Sequence, residues 1–516
     1  MKKLSCKDPL QRGALPCLGV LLMIAMGGNA GTAQAQAQNE AESLVLRQAA
    51  SGKEAELGNL PPEKRKIRAD FLAPLLMGTL QGARVSHEGV LIKDAVIEGR
   101  LALAGAEIPF ATWLTNCEFK DDVDLSHSHL NGDLSVVGST FRGAADLDGL
   151  RAEGHVVLDL ARFEGLFDIS DARINGNLEV SGATFSDRNG NPAQFDNVKG
   201  ISRADLDHLT LEVPLTLDGA EAQIITLGKV KSVYAPQNLK EMAGLYSAKT
   251  IILSHAAVHR DLQIIGTEVD HLLANGLKVE GVTTIENVRI TGQADLSHAQ
   301  LFSLVLGDDV VWPPDEASLQ LAGISFQYIS PDIPMGGGKS GGTIEEAKWE
   351  KLSVWVDHAS FTTAPYQQLE DVLKKQGRVE QANDVYKRMR KRTWTQGGLT
   401  FVGKTKNAVL YLLVGYGREP NWAFYWCLPV VFIGWIVFRR REDVEPKDPR
   451  DKDRAYDPLW YSIDLFLPLS TLQAADAWIP RQDSRFKRYY ARVHSILGWI
   501  LVPIGLAAVS GLISGR

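Results

Sequence analysis

Cysteine is scarce in this chain: four in 516 residues, Cys6, Cys17, Cys117 and Cys427. So few thiols exclude a disulfide framework, and no Cys-x-x-Cys-His run is present to attach a haem. Also missing are a Gly-x-Gly-x-x-Gly after a strand and a Gly-x-Ser-x-Gly elbow, the signatures of dinucleotide binding and of a common hydrolase nucleophile. Charge of one sign is not in large excess, with a net charge of -7. Long apolar runs number three. The first, from Ala14 to Met26, comes after Lys2, Lys3, Lys7 and Arg12 and precedes Ala33-Gln34-Ala35, the layout of a cleaved export signal over residues 1–35. Such a signal removes Cys6 and Cys17 and places the solenoid outside the cytoplasm. The other two runs, 422–438 and 494–513, are each about long enough to cross a bilayer as a helix. Trp422, Trp426, Trp435, Tyr489, Tyr490 and Trp499 mark their edges. Arg439, Arg440 and Arg441 after the first run, with Arg485, Lys487, Arg488 and Arg492 before the second, place the intervening loop in the cytoplasm.

What the sequence does have is an eleven-residue repeat. Val123, Leu134, Ala145, Val156, Phe167 and Leu178 recur in one slot, and Leu125, Val136, Leu147, Leu158, Ile169 and Val180 come two residues later. A third series holds Leu130, Phe141, Ala152, Phe163, Ile174 and Phe185, and glycine recurs at Gly132, Gly143, Gly154, Gly165 and Gly176. A period this short means that each unit buries its apolar residues only against the next, which predicts a solenoid. Inward residues fall at offsets 0, 2, 5 and 7, two five-residue units plus one extra residue. Runs such as Ala145-Asp146-Leu147, Ala204-Asp205-Leu206 and Ala294-Asp295-Leu296 resemble the Ala-[Asp/Asn]-Leu-x-x pattern of pentapeptide-repeat proteins. That resemblance implies a four-sided, right-handed parallel β-helix, and the inserted residue lengthens a coil to about 22 residues.

Along the chain, 36–86 reads as a polar lead-in and an amphipathic helix, Glu63 to Met77, that caps the coil. The solenoid spans 87–345, with an excursion at about 188–250. Next is a helical hairpin over 346–400, with Thr363 capping one helix, Gly377 ending it and a second helix from about Glu380 to Trp394. A membrane domain fills 401–516. The basic cluster Lys387, Arg388, Arg390, Lys391 and Arg392 on the second hairpin helix is a candidate for contact with anionic lipid. Asp464, in the apolar segment Tyr461 to Leu469 between the two spans, is the candidate polar residue of the membrane domain; the segment itself reads as an interfacial helix.

Several tempting sites dissolve on spacing. Gly336-Gly337-Gly338-Lys339-Ser340 lacks the leading glycine of a phosphate loop and reads as flexible loop. Val414-Gly415-Tyr416-Gly417 copies a potassium filter but precedes a span, and reads as a tight turn. Histidine recurs at His127, His208, His255, His271 and His298, as expected of a polar corner position; His255 and His298 lie two coils, about 10 Å, apart, too far to share an ion. From Glu88 to Asp187 there are 18 acidic residues against 7 basic ones. Such a face repels nucleic acid and suits a basic partner. No catalytic, metal or cofactor residue is assigned.

In order along the chain, Ile67-Arg68-Ala69-Asp70-Phe71-Leu72, the repeats from Ala106 to Phe119, the hairpin around Gly377-Arg378, Gly415-Tyr416-Gly417 before Pro420-Asn421-Trp422, the Tyr461 to Leu469 segment, and Gly498-Trp499 resemble a family of bacterial membrane proteins often labelled membrane-associated oxidoreductase. The label implies redox chemistry. The residues themselves favour a periplasmic solenoid fixed in the inner membrane, a non-catalytic platform for a protein partner. A small pore built on the two spans is the alternative.

Overall fold

In a computed structural model the described residues are 38–232, 249–307, 309–329, 345–419, 422–449, 453, 455–467 and 477–509. The export signal, the core of the expected excursion, the Gly336 to Ser340 loop and the end of the second apolar run lie outside them. The chain winds into a parallel β-solenoid of about ten turns with helices at its C-terminal end. Among the described residues its sides are parallel sheets of 13, 10, 8 and 4 strands.

The register obeys the repeat. Val90 pairs with Thr112, Thr112 with Leu134, Leu134 with Val156 and Val156 with Leu178, 22 residues per coil. Most strands here are only two residues long, because each side of the coil turns before a third pair can form. Beyond Phe185 the coils change length without stopping. Leu178 pairs with Ala204 across a four-residue insertion, Ala204 with Ile225 across one deletion, and Leu262 with Thr283 across another. The coil therefore continues through 193–232, inside the stretch where the sequence loses register. From Glu221–Gly228 onward two sides fuse: this one strand pairs both Ala257–Val258 and Leu262–Ile265.

The core is a set of ladders. Phe119, Phe141, Phe163 and Phe185 stack with centroids 4.5, 4.8 and 5.1 Å apart and planes within 15°. This is the coil rise itself, so each ring fills the space above the last. Cys117 is buried in a small inward slot, and burial pushes its thiol up to about 12, which makes it inert packing. Between Leu76 and Phe167 the rod encloses an apolar void of about 30 Å³, too small for a substrate.

Two kinds of glycine hold the coils together. Gly165 and Gly176 sit where successive backbones nearly touch, and a Cβ there would lie 2.5 and 2.7 Å from the carbonyls of Gly143 and Gly154. Gly105, Gly138, Gly149, Gly182, Gly219 and Gly276 instead have positive φ, as do Asp94, Asn116, His127, Leu160, Asp171, His208, His255 and His298. These form a left-handed corner every eleven residues through the first half of the rod. The side chain in one corner lies over the corner glycine one coil on, His127 over Gly149, Leu160 over Gly182 and His255 over Gly276. Gly276→Val is expected to cost about 2 kcal/mol or more, from the left-handed backbone and the His255 ring together. Urea unfolding of the detergent-solubilised chain checks it; adding His255→Ala restores only the part due to the ring.

Both ends are covered. The polar lead-in is not irregular: it forms α1, Glu40–Ser51, with an Asn39/Glu42 capping box. The expected cap helix is shorter than its apolar pattern, α2, Ala69–Leu76, because Lys66–Arg68 is a strand paired with Val96–Glu98. Ile67 suits both periods, and the sheet edge takes it. Phe71, Leu72, Leu75 and Leu76 of α2 close the first coil. At the far end α3, Glu345–His358, which the sequence did not announce, precedes the hairpin α4, Ala364–Lys375, and α5, Val379–Gln396. Gly377 at φ 77° joins the last two, while Thr363 makes no side-chain cap. Gln368 donates to the Phe326 carbonyl 2.5 Å away, docking α4 on the last strand, Ser325–Ile329.

After α6, Phe401–Val414, a turn at Gly415–Gly417 with three left-handed residues leads into α7, Trp422–Val437. Then come α8, Pro458–Phe466, and α9, Arg485–Val509. Among the described residues no helix is long and apolar enough to cross a membrane. This departs from the expected pair of spans: α7 has 16 residues, about 24 Å of helix against a hydrocarbon core of about 30 Å. The first two turns of α9 carry Arg485, Lys487, Arg488 and Arg492.

Candidate functional site

The described sides of the rod carry rows of charged side chains. On one side Asp124, Asp146 and Asp168 stack in register, each accepting the backbone N–H two residues on. Asp148 and Asp196 flank this row; burial raises both above the ordinary aspartate range, helped at Asp148 by the Asp168 carboxylate and opposed at Asp196 by hydrogen bonds from Thr216 and the Asp218 N–H. On two other sides the charges alternate. Arg142 bridges Glu118 and Glu164 at 3.0 and 2.5 Å, and His129 lies between Glu107 and Glu153 at 3.1 and 3.4 Å. His259 sits between Glu221 and Glu280, whose hydrogen bonds raise its pKa above the usual histidine value. Among the described residues no group of three or more His, Cys, Asp or Glu is arranged to hold a metal ion. The recurring histidines are corner residues, with one exception: His271 lies within the strand Glu268–Leu273.

The basic cluster on α5 is largely engaged within the protein. Lys387 pairs with Glu419 at 2.6 Å and Arg388 with Asp357 at 2.8 Å. Arg390 donates to Asn407 and stands over the Tyr416 ring. Arg392 donates to the carbonyls of Val356, Asp357 and Ala359 and to Tyr366. Lys391 alone of the five is fully on the surface. Sequence spacing could not reveal this, because the partners lie 17 to 36 residues away.

Around the apolar helices the usual order is inverted. Tyr425, Leu428, Phe432, Ile433 and Ile436 of α7 are exposed, as are Ile496, Trp499 and Leu506 of α9. Polar groups face inward. Asp464 is buried on α8, and so are Ser462 and His494. The Ser462 hydroxyl donates to the Val431 carbonyl at 2.8 Å, and His494 Nε2 faces the Ser462 carbonyl at 3.0 Å. With its Nε2 proton engaged there, the imidazole cannot take the serine proton, so the pair ties three helices together and does not act as nucleophile and base. Gly434 and Gly498 provide the notches for α8: a Cβ on the first would meet Ser462 and His494, and on the second the Phe466 carbonyl. An open groove of about 840 Å³, lined by Leu428, Phe432, Leu459, Ile463 and Leu506, runs between α7, α8 and α9. After α7, Val444–Pro446 pairs antiparallel with Trp478–Pro480, and Arg441 lies 3.7 Å from the Trp478 ring centroid.

Comparison with protein-family models, curated proteins and solved structures finds no match to this chain.

Proposed function

We propose that this protein is a periplasmic, right-handed, pentapeptide-like solenoid, held in a bacterial inner membrane by α7 and α9 and serving as a non-catalytic platform for a protein partner. The observation that carries the reading is the contrast between its two halves. The rod buries most of its apolar side chains, with Trp113, Leu160, Phe302 and Tyr328 exposed, and presents ladders of charge, whereas α7 and α9 turn Leu428, Phe432, Ile433, Trp499 and Leu506 outward together. Exposed apolar surface on this scale is stable only when covered, and buried Ser462, Asp464 and His494 beneath an apolar exterior is the polarity expected of helices in lipid. The shortness of α7 is met by tilt of its neighbours or local thinning of the bilayer.

The platform reading rests on the filled interior of the rod and on its acidic side. Cross-linking in intact cells, with mass spectrometry of the products, is expected to join a partner to the rod through the Asp124, Asp146, Asp168 side. Replacing the three by Asn is expected to abolish that link while leaving the chain in the membrane. Turnover of a substrate by the purified chain alone would contradict the reading.

A further inference from the structure

α6 is built inside out. At 100° per residue Asn407 and Val414 fall on one side of the helix, and they are its only buried residues. Asn407, a polar side chain, is 2% exposed and is held by Arg390, whose Nη2 lies 2.6 Å from its Oδ1, and by the Tyr416 hydroxyl at 3.3 Å. The opposite side carries Phe401, Val402, Val409 and Leu412, exposed by 85, 75, 48 and 52%. Lys404 and Lys406 fall one on each flank of this apolar strip, both exposed. A helix of a water-facing domain has these faces the other way round.

We infer that the outer face of α6 lies in the plane of the bilayer, among phospholipid head groups and upper acyl chains, as a third membrane contact beside α7 and α9. The inference rests on the membrane anchoring proposed above and adds to it a segment that neither apolar run contains. Three observations select lipid over a second copy of the chain or a protein partner. The C-terminal end of α6 abuts the start of α7, whose own outer side is apolar: Trp426 of α7 donates to the Leu412 carbonyl at 2.7 Å, and Tyr411 packs edge-on to Trp422 at 5.9 Å. The helix has 14 residues, about 21 Å, too short to cross and long enough to lie along the interface. The flanking lysines sit where their stems cover the apolar strip and their ammonium groups reach phosphates. Arg390 and Lys387 of α5, tied to Asn407 within α6 and to Glu419 just after it, then hold the solenoid at a set height above the membrane.

The test uses the full chain with Cys6, Cys17 and Cys427 changed to Ser, reconstituted into vesicles of phosphatidylethanolamine and phosphatidylglycerol. Spin labels are placed singly at Val402→Cys, Val409→Cys, Ile433→Cys in α7 and Lys53→Cys at the far end of the rod. Collision with oxygen, which concentrates in lipid, is compared with collision with a water-soluble nickel chelate. The oxygen-to-nickel ratio is expected to be about tenfold higher at positions 402, 409 and 433 than at 53. Nickel-dominated labels at 402 and 409 with an oxygen-dominated label at 433 would overturn the role of α6 and leave the anchor standing. Nickel dominance at all sites would overturn both. Labels at 402 and 409 closed to both reagents would mean that protein covers the strip, and would also overturn the inference.

Discussion

Replacing Phe163 by Ala is expected to cost the solenoid about 3–5 kcal/mol, the largest effect of any single core truncation in the rod. The ring is 1% exposed, lies 4.8 Å from Phe141 and 5.1 Å from Phe185, and tilts against Phe167 at 4.4 Å. A cavity here has no route to collapse, because the rings above and below are fixed by coils whose spacing the backbone ladder sets. In a one-dimensional fold the damage also lands on both neighbouring interfaces at once. Phe163→Leu keeps most of the volume and is expected to cost about 1–1.5 kcal/mol. Denaturant unfolding monitored by circular dichroism measures both; a loss below about 1 kcal/mol for Ala would mean that the ladder is not where the stability lies.

Arg68→Ala is the second. Glu42 is completely buried, with Arg68 Nε 2.9 Å from Oε1 and Nη2 3.0 Å from Oε2, and with the backbone N–H groups of Asn39 and Arg68 beside it. Burial pushes this carboxyl up, but the guanidinium and the two N–H groups outweigh it and hold the pKa below the ordinary glutamate value. In the native chain Glu42 therefore stabilises the cap above its unfolded pKa, near 4.5, and that stability is lost as pH falls through its lower folded pKa. Without Arg68 a buried carboxylate is left without its counter-ion, at a cost of about 3–5 kcal/mol. Burial then dominates, the folded pKa rises above the unfolded one, and the variant loses stability as pH rises. Near pH 4 to 5 the slope of cap stability with pH is thus expected to change sign, from rising in the native chain to falling in the variant. Hydrogen exchange in α1 reads it: protection falls about a hundredfold or more at pH 7 and recovers in part on acidification. A slope of unchanged sign would show that the backbone donors, not Arg68, keep Glu42 ionised.

These two sites differ in how far the sequence reveals them. The Phe119 to Phe185 ladder is legible because every coil between them has 22 residues, so spacing in sequence is spacing in space. Register fades after Phe185 for a mechanical reason, since the insertion at 187–192 and single deletions move the inward slots without stopping the coil. Glu42 is invisible in sequence: in an Ala-, Gln- and Glu-rich lead-in a buried glutamate looks like any surface one, and its partner is 26 residues away. Four of the five recurring histidines are legible as corners, while the left-handed backbone and the glycines that lie against the rings of His127, His255 and His298 need the next coil to be in place. At the C-terminal end the apolar runs are evident, but the inverted faces of α6 depend on Arg390 and Tyr416 reaching Asn407 from neighbouring elements.

The central claim, a charged solenoid fastened to a bilayer by its C-terminal helices, is tested most directly by alkaline carbonate extraction of membranes from cells making the full chain. The protein is expected to stay in the membrane pellet at about pH 11, where charge-mediated attachment fails and buried apolar helices do not. Quantitative release into the supernatant would contradict the account.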